Sequence, residues 1–584
     1  MTATALSGIL AFGPEAVKDT MAHEGSNAFV VGYVFPTTAL TGGSVLGVTA
    51  GKKPLDYPSQ LQITVSGGTV TGTFTVHGRL FGEADATSVS VVYAAETGAK
   101  PVGTSAWDRV DSIDVPTGSG RNFSLDAKHL PAVFRHRAAD IDLSAIDDVR
   151  MGPNEIGGDP VPSFPYKAGQ MVGGGATLYP RLQNSFAWLL WAALGYNDSG
   201  LHDLGWNEGV PNVESATAIH AAVVLTAGTQ NVTTLIQAIS PDPAVLGVLY
   251  TPAGASLFSG TVTLTGTGED DAPLVEVVAF SSGSSPNDSR MLETASKFKT
   301  LTQIDLPARA NTGDTISVGY PMYEHHFMFN PTSGMQSCLP WMTFYKYIPS
   351  GSCDPDASDA LWELYEDCKV MGLVMTLPNN GPLTARIDAM GRKWHFSDSQ
   401  PMSFLGGYED YQSVPIGCHT GGGITIPNYS ETELAVVSAQ FGLVNAPLDP
   451  QQEKVVGSPD LEDITVISRS FTADLVLKWR DPVLYRRIYT GLNAGTEWTE
   501  KPFVEDLHVE MVSNSNAEDV NVPYELLVDV PSMLFNAAGG VRLAGNQAVM
   551  MRLTGTALLP ASSSDHYVEF TLINRVPRMY WPTA

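Results

Sequence analysis

GTFTVHGRLFGEADATSVSVVY (72–93) and GTVTLTGTGEDDAPLVEVVAF (260–280) are two versions of one phrase. In each, a glycine opens a run in which polar and apolar side chains alternate. A polar turn follows, and a second alternating run closes the phrase. Alternation with period two puts one strand face in a core and the other in water, so each phrase predicts a β hairpin. The likeness continues downstream, where SAWDRVDSIDVP (105–116) matches SKFKTLTQIDLP (296–307). Two small β-sandwich modules, at 48–117 and 213–310, are read as copies of one another.

With the modules removed, the remainder also reads twice. GGGATLYPRLQNSFAWLLWAALG (173–195) is a strand, a helix and a glycine, and so is SFTADLVLKWRDPVLYRRIYTG (470–491). GLVMTLPNNGPLTARIDAMG (372–391) has its counterpart in ELLVDVPSMLFNAAGGVRLAGNQAVMMRLTG (525–555). The expected fold is therefore mainly β: two tandem sandwich or barrel domains, each flanked by one short helix, plus the two accessory modules. The first domain takes 1–47, 118–212 and 311–396; the second takes 397–584.

The two helices differ. NSFAWLLWAALG (184–195) is too short for a membrane: twelve helical residues span about 18 Å, against a bilayer core of about 30 Å. Asn184 is placed to cap it and Gly195 to end it. Phe186, Leu189, Leu190 and Ala193 share one face, and Trp188 and Trp191 project from the other. A helix apolar all round needs cover on every side. The tryptophan face is thus expected to meet a module, the other half of the chain or a neighbouring subunit. In the second helix Asp481 is the expected cap and Pro482 the first helical residue. Leu484, Tyr485, Ile488 and Tyr489 form its apolar stripe, with Arg486 and Arg487 outside it. Phe186, Trp188, Trp191, Leu484, Tyr485 and Ile488 are the candidate packing or interface residues.

The 584 residues allow several domains, and 43% hydrophobic content allows real cores. The 56 glycines and 39 prolines, with many Thr and Ser, favour short strands and turns. Charge is lopsided, with 61 acidic and 33 basic residues for a net of −28. A surface that grips phosphates carries a basic stripe. The best fragment here is Arg135-His136-Arg137, and Asp140 follows at once. Sequence-specific nucleic-acid binding is not expected; the acidity reads as solubility, or as a surface that must not stick to a polyanion. Cys338, Cys353, Cys368 and Cys418 lack CxxC spacing and read as free thiols of a reducing cytoplasm. The N-terminus has no basic region ahead of an apolar run, so it does not read as a signal peptide.

Motifs for chemistry are weak. The EHH at 324–326 lacks the second histidine of HExxH, and MYEHHFMF (322–329) alternates like a strand. DPDASDALWE (354–363) begins like a calcium loop, but Asp359 stands where glycine is required and Tyr365 where Glu is. It reads as the capped start of a helix containing LWELYEDC (361–368). Cys418-His419 has no assignable orienting partner, and GGG at 173–175 and 421–423 read as turns. No carboxylate pair is singled out as a glycosidase would need. No catalytic residue, metal site or cofactor is expected, and the chain is not read as an enzyme.

GQMVGGGATLYPRLQNSFAWLLWAALG (169–195), CKVMGLVMTLPNNGPLTARIDAMGRKW (368–394) and VRLAGNQAVMMRLTGTALLP (541–560) together resemble the tail tube proteins of long-tailed bacteriophages. The likeness covers roughly 118–212 and 311–560. The modules resemble the immunoglobulin-like decorations of some phage structural proteins. The resemblance implies a virion protein, assembled in the host cytoplasm, that forms stacked rings around a channel through which DNA passes without sequence-specific binding. Some relatives carry two tube domains per chain and form trimers with near-sixfold symmetry; the alternative is a hexamer. Implied partners are further copies, tail completion and tail tip proteins, the tape measure protein and DNA, with no membrane. On this reading a loop within 397–465, centred on 445–460, reaches the next ring. A tail-associated adhesin or receptor-binding protein is the alternative, and a secreted carbohydrate-active enzyme the third reading.

Overall fold

The computed structural model describes residues 9–15, 28–40, 45–47, 53–80, 86–117, 121–130, 133–152, 164–183, 185–195, 210–235, 237–239, 243–253, 260–280, 290–309, 313–329, 339–349, 361–398, 411–418, 423–427, 434–480, 482–516, 522–539, 541, 548–560 and 566–576. Within them the chain is mainly β, with antiparallel sheets and few, short helices. No described helix is long and apolar enough to cross a membrane.

The two echoing phrases build the same object. Near the N-terminus, Val30–Ala39, Asn122–His129, residues 59–66 and residues 98–101 lie side by side. Val45–Gly47, Trp107–Asp114, residues 75–80 and residues 86–96 form the other layer. Phe74 reaches across to Phe123, ring centroids 5.5 Å apart, and the Tyr93 hydroxyl donates across to the Ile63 carbonyl. The second copy has one layer of His220–Val224, Thr315–Gly319, Gly247–Thr251 and Arg290–Glu293. Its other layer is Gln230–Val232, Phe298–Leu306, Gly260–Gly268 and Pro273–Phe280. Strand for strand, the order is identical. Strands from both sides of 48–117, at Val30–Ala39 and Asn122–His129, belong to the first copy.

Register agrees as well. Val76 lies opposite Ile113 and Leu264 opposite Ile304; Thr75 faces Asp114 and Thr263 faces Asp305. Both ladders then slip at the same two places, after His77 and Arg79 in one and after Thr265 and Thr267 in the other. A bulge draws the backbones together. A Cβ on Gly78 would sit 2.1 Å from the Arg109 carbonyl oxygen, and one on Gly266 would sit 1.9 Å from that of Thr300. Gly78→Ala and Gly266→Ala are each expected to cost about 1–3 kcal/mol through overpacking, read as a lower urea midpoint. Unchanged midpoints would show that these bulges relax freely.

Among the other described residues, eight strands lie edge to edge in one continuous run. Their order is Ser144–Met151; then Pro165–Gly173 with Gly175–Leu178; then Thr384–Ser397, Leu361–Pro378, Val436–Pro447, Val466–Lys478, Met550–Ala557 and residues 533–537 of Pro523–Ala537. The first four and the last four repeat one pattern. In each, a hairpin leads into a helix, Phe186–Leu194 or Val483–Thr490, and a later pair of strands returns beside the hairpin. The two sets join through seven residue pairs, from Gly372 opposite Val444 to Pro378 opposite Ser438. GGG at 173–175 lies in this sheet rather than in a turn. Gly174, at φ +105, breaks the strand where its missing side chain admits the Asp142 carbonyl.

Two local expectations are corrected. LWELYEDC (361–368) is strand, not helix. Trp362 and Leu364 bury in one cluster, while Tyr365, Cys368 and Val370 bury in another. Partners on both sides, Met342–Ile348 and Thr384–Ser397, satisfy its backbone. A bulge at Asp367, φ +51, shifts the alternation and makes the spacing look helical. The second helix starts at Val483 with Pro482 as its cap, one residue later than expected. Asp481 and Asn184, both expected caps, lie outside the described residues, as do Cys338, Cys353 and His419. Cys368 and Cys418 are free thiols.

Candidate functional site

Phe186, Trp188 and Trp191 are completely buried within the single chain. Trp188 stacks on Phe134 at 5.7 Å and meets Trp191 edge-on at 6.2 Å. Of the three covers expected for this helix, the chain itself supplies one. Its second half grips the helix end. Arg469 donates to the Ala193 carbonyl at 2.9 Å and to that of Leu194 at 2.7 Å. Asn445 donates to Ala193 at 2.9 Å and accepts from Arg469 Nε. These carbonyls belong to the last helical turn, which lacks internal donors. Gly195 closes the turn at φ +82, its N–H on the Trp191 carbonyl. Burial pushes the Arg469 guanidinium down to about 9, and it lies over the Phe329 ring at 3.8 Å. The tryptophan pair is thus core. On the second helix Leu484 and Ile488 are buried, and Tyr485 packs on Trp479 at 5.7 Å. Beyond it Leu492 and Trp498 are 67% and 73% exposed, so apolar surface stays open here, not at Trp188.

The eight-strand sheet has one buried and one exposed face, and an open outer edge. Among the described residues, Ser144–Met151 pairs only with Pro165–Gly173, and Ala138–Ile141 only with Gly175–Leu178. The equivalent strand of the second set, Val436–Pro447, is paired on both sides. On the exposed face Arg386 and Arg552 occupy matching points, opposite Thr177 and Val476 of the two pre-helix strands. Each is held by carboxylates. Arg386 donates to Asp142 at 2.8 Å and to Asp388 at 3.0 Å; Arg552 Nε donates to both oxygens of Asp474, at 2.7 and 2.9 Å. The Arg386 hydrogen bond holds Asp142 below the usual carboxylate range. No guanidinium at these points is left to meet a phosphate.

Within 397–465, from which the sequence reading expects a loop to reach the next ring, segment 448–465 binds its own chain. Gln170 N–H donates to the Pro459 carbonyl at 2.9 Å, Lys454 pairs with Asp148 at 2.6 Å and Lys369 with Asp463 at 3.0 Å. Its own Leu461 and Ile464 are buried in a cluster with Met390. Its tip nevertheless presents Val455 and the fully exposed Val456.

A second polar surface lies on the sheet of Gly423–Thr425, Phe503–Asn516, Pro523–Ala537, Val568–Asn574 and Tyr323–Phe329. EHH is a strand here, as its alternation requires. His325 faces the core, where burial pushes it down to about 4, and it bonds the Val576 carbonyl at 2.7 Å. His326 faces out between Glu324 and Glu569, whose hydrogen bonds pull it up to about 9. Beside it His508 pairs with Asp529 at 2.5 Å and His566 with Glu569 at 3.3 Å. Burial, with Glu510 nearby, raises Glu525 to about 7. Among the described residues no cluster is arranged to hold a metal ion.

No family model and no curated protein matches the chain. Among solved structures, that of infectious bursal disease virus Gx strain matches at 9% identity, over 66% of this chain and 80% of that one, with a TM-score of 0.10. The VP2 subviral particle of infectious bursal disease virus matches at 10% identity over 67% and 81%, also at 0.10. Overlaps this poor carry no argument about fold or function.

Sequence reasoning missed Arg469 and Asn445. Each sits in an alternating strand with no local mark of its role, and the helix end it holds is hundreds of residues away. The matched arginines were findable only loosely: Arg386 lies five residues before Gly391 and Arg552 three before Gly555, the glycine ends used to align the halves.

Proposed function

We propose that this chain is a tail tube subunit: two tandem tube-like domains, decorated by two immunoglobulin-like modules, that close with further copies into stacked rings for DNA passage. The observation that carries this reading is the junction of Leu361–Pro378 with Val436–Pro447. It is an edge-to-edge join between repeats, and the first repeat's matching edge, Ala138–Met151, has no such neighbour among the described residues. An open edge this long is an aggregation hazard unless it is paired or the sheet closes into a ring. Three copies of two repeats each satisfy that with near-sixfold symmetry. The exposed apolar surface at Leu492 and Trp498 and the valine tip of 448–465 supply further contact surface between copies.

The exposed face supports the conduit role. Its arginines, already neutralised by aspartates, give DNA little to hold by counterion release. The variant Asp142→Asn/Asp388→Asn/Asp474→Asn frees both guanidiniums. It is expected to bind duplex DNA in a salt-dependent way in fluorescence anisotropy, where the natural chain does not. Equal binding by both proteins would remove this account of the face. Electron microscopy of purified protein tests the reading as a whole: tubes or rings with a central channel are expected, and three subunits in a view down the axis. Discrete particles at every concentration would overturn it.

A further inference from the structure

The seam inside the chain predicts a joint between chains, because the two halves correspond residue for residue. Arg386 lies opposite Val374, and Arg552 accepts at 2.9 Å from the N–H of Ala538, the residue after the Ala537–Leu553 pair. Ala538 thus answers to Val374, and Asn536 to Gly372. On the other side of the pre-helix strands, Asp140 lies opposite Thr177 and Ser438 opposite Val476. Register is kept from there, across the break at Gly174, to Ile146 opposite Met171 and to Val444 opposite Ser470. Ser144 thus answers to Gly442, and Ile146 to Val444. The last two match in exposure as well, at 40% and 46%.

Inside the chain, Val374 lies opposite Gly442 and Gly372 opposite Val444. In the second half the corresponding edge stands open. Residues 503–505 lie beside 533–535, and the strand begins there. From Asn536 onward the described residues pair only with Met550–Ala557. We infer that residues 536–538 of one copy pair antiparallel with residues 144–146 of the next, Asn536 opposite Ile146, Ala537 opposite Ala145 and Ala538 opposite Ser144. This inference rests on the ring reading above and names both sides of its joint. Small side chains at 144, 145, 537 and 538 let the two backbones approach. Pairing of 144–146 with its own mate in a second copy would close a dimer and leave 536–538 bare, whereas the head-to-tail pairing covers both edges.

The joint is looser than the seam it copies. One rung beyond Val444, Asn445 and Arg469 hold the end of the first helix. Their counterparts are Asp147 and Gln170, which also face one another. An ionised aspartate has no hydrogen to give a carbonyl. Both residues are engaged in their own chain, Asp147 with Lys167 at 2.5 Å and Gln170 with Asp460 at 2.6 Å. The second helix end instead closes on itself: Thr499 N–H donates to the Tyr489 carbonyl at 3.1 Å, and Gly491 N–H to that of Arg487 at 2.9 Å. A subunit that folds before it meets its neighbour needs that independence.

The test mixes full-length Cys418→Ser chains that each carry one new cysteine, oxidises them with diamide and identifies linked peptides by mass spectrometry. A link between two different singly substituted chains joins two copies by construction. Links are expected between Ser144→Cys and Ala538→Cys chains, and between Ile146→Cys and Asn536→Cys chains. The crossed mixtures, Ser144→Cys with Asn536→Cys and Ile146→Cys with Ala538→Cys, are two residues out of register. Their yields are expected to be at least about fivefold lower, because diagonal neighbours stand too far apart for a disulfide. Equal yields in all four mixtures, or higher yields in the crossed ones, overturn the pairing. So do Ser144→Cys chains that link to one another as readily as to Ala538→Cys chains. Tubes without any of these links overturn the pairing and leave the ring reading standing. In-register links in strings of copies that never close do the reverse, and neither links nor tubes overturns both.

Discussion

Ala139→Pro is expected to abolish tubes and rings while the chain stays folded. Thr177 lies opposite Asp140 and Leu178 opposite Ala138, so Ala139 is the extra residue of a bulge. Proline at such a position costs its own sheet little, because a bulged residue makes no ladder bond. On the open side it removes a donor and stiffens the edge that a second copy must pair with. Circular dichroism should match the natural chain and the melting temperature should fall by no more than about 2 °C. Electron micrographs should show single particles only. Full-length tubes from a well-folded Ala139→Pro protein would mean that Ala138–Met151 is not where copies join.

The largest loss of stability is expected at Arg469. Its guanidinium satisfies the Ala193 and Leu194 carbonyls, orients Asn445 through Nε and covers Phe329. Arg469→Ala leaves enclosed acceptors unpaired and opens a void beside Phe329 at the helix end. Each stranded group costs about 1–3 kcal/mol, and the whole change about 3–5 kcal/mol. The measurement is chemical denaturation followed by tryptophan fluorescence, to which Trp188 and Trp191 contribute among the ten tryptophans. Arg469→Lys should recover only part of the loss, since an ammonium lacks the planar fork that spans two carbonyls. A loss below about 1 kcal/mol for Arg469→Ala would show that the helix end is held by other contacts.

Much of the architecture could be read from local signals. Alternation in 72–93 and 260–280 gives the hairpins, and the matched endings at Ile113 and Ile304 anticipate a register that agrees pair for pair. The uniformly apolar helix at Phe186–Leu194 demands full enclosure, and it is enclosed. What escaped is non-local. At 361–368 a bulge and burial on both faces imitate helical spacing, and only the flanking strands, met later in the chain, decide for β. The partners that hold the helix end could not be read because Arg469 and Asn445 carry no periodic mark. The Asp474–Arg552 and Asp142–Arg386 pairs link residues 78 and 244 positions apart, beyond any spacing argument.

The seam between Gly372–Pro378 and Ser438–Val444 has a mechanical consequence. The two repeats are not beads on a flexible string but parts of one woven fabric. A load applied along these strands meets all seven rungs at once, in shear, whereas a load that peels one edge meets them in turn. The molecule should therefore yield first at its appended modules and termini, and a pull on either end should leave this seam intact until the surrounding parts have unravelled.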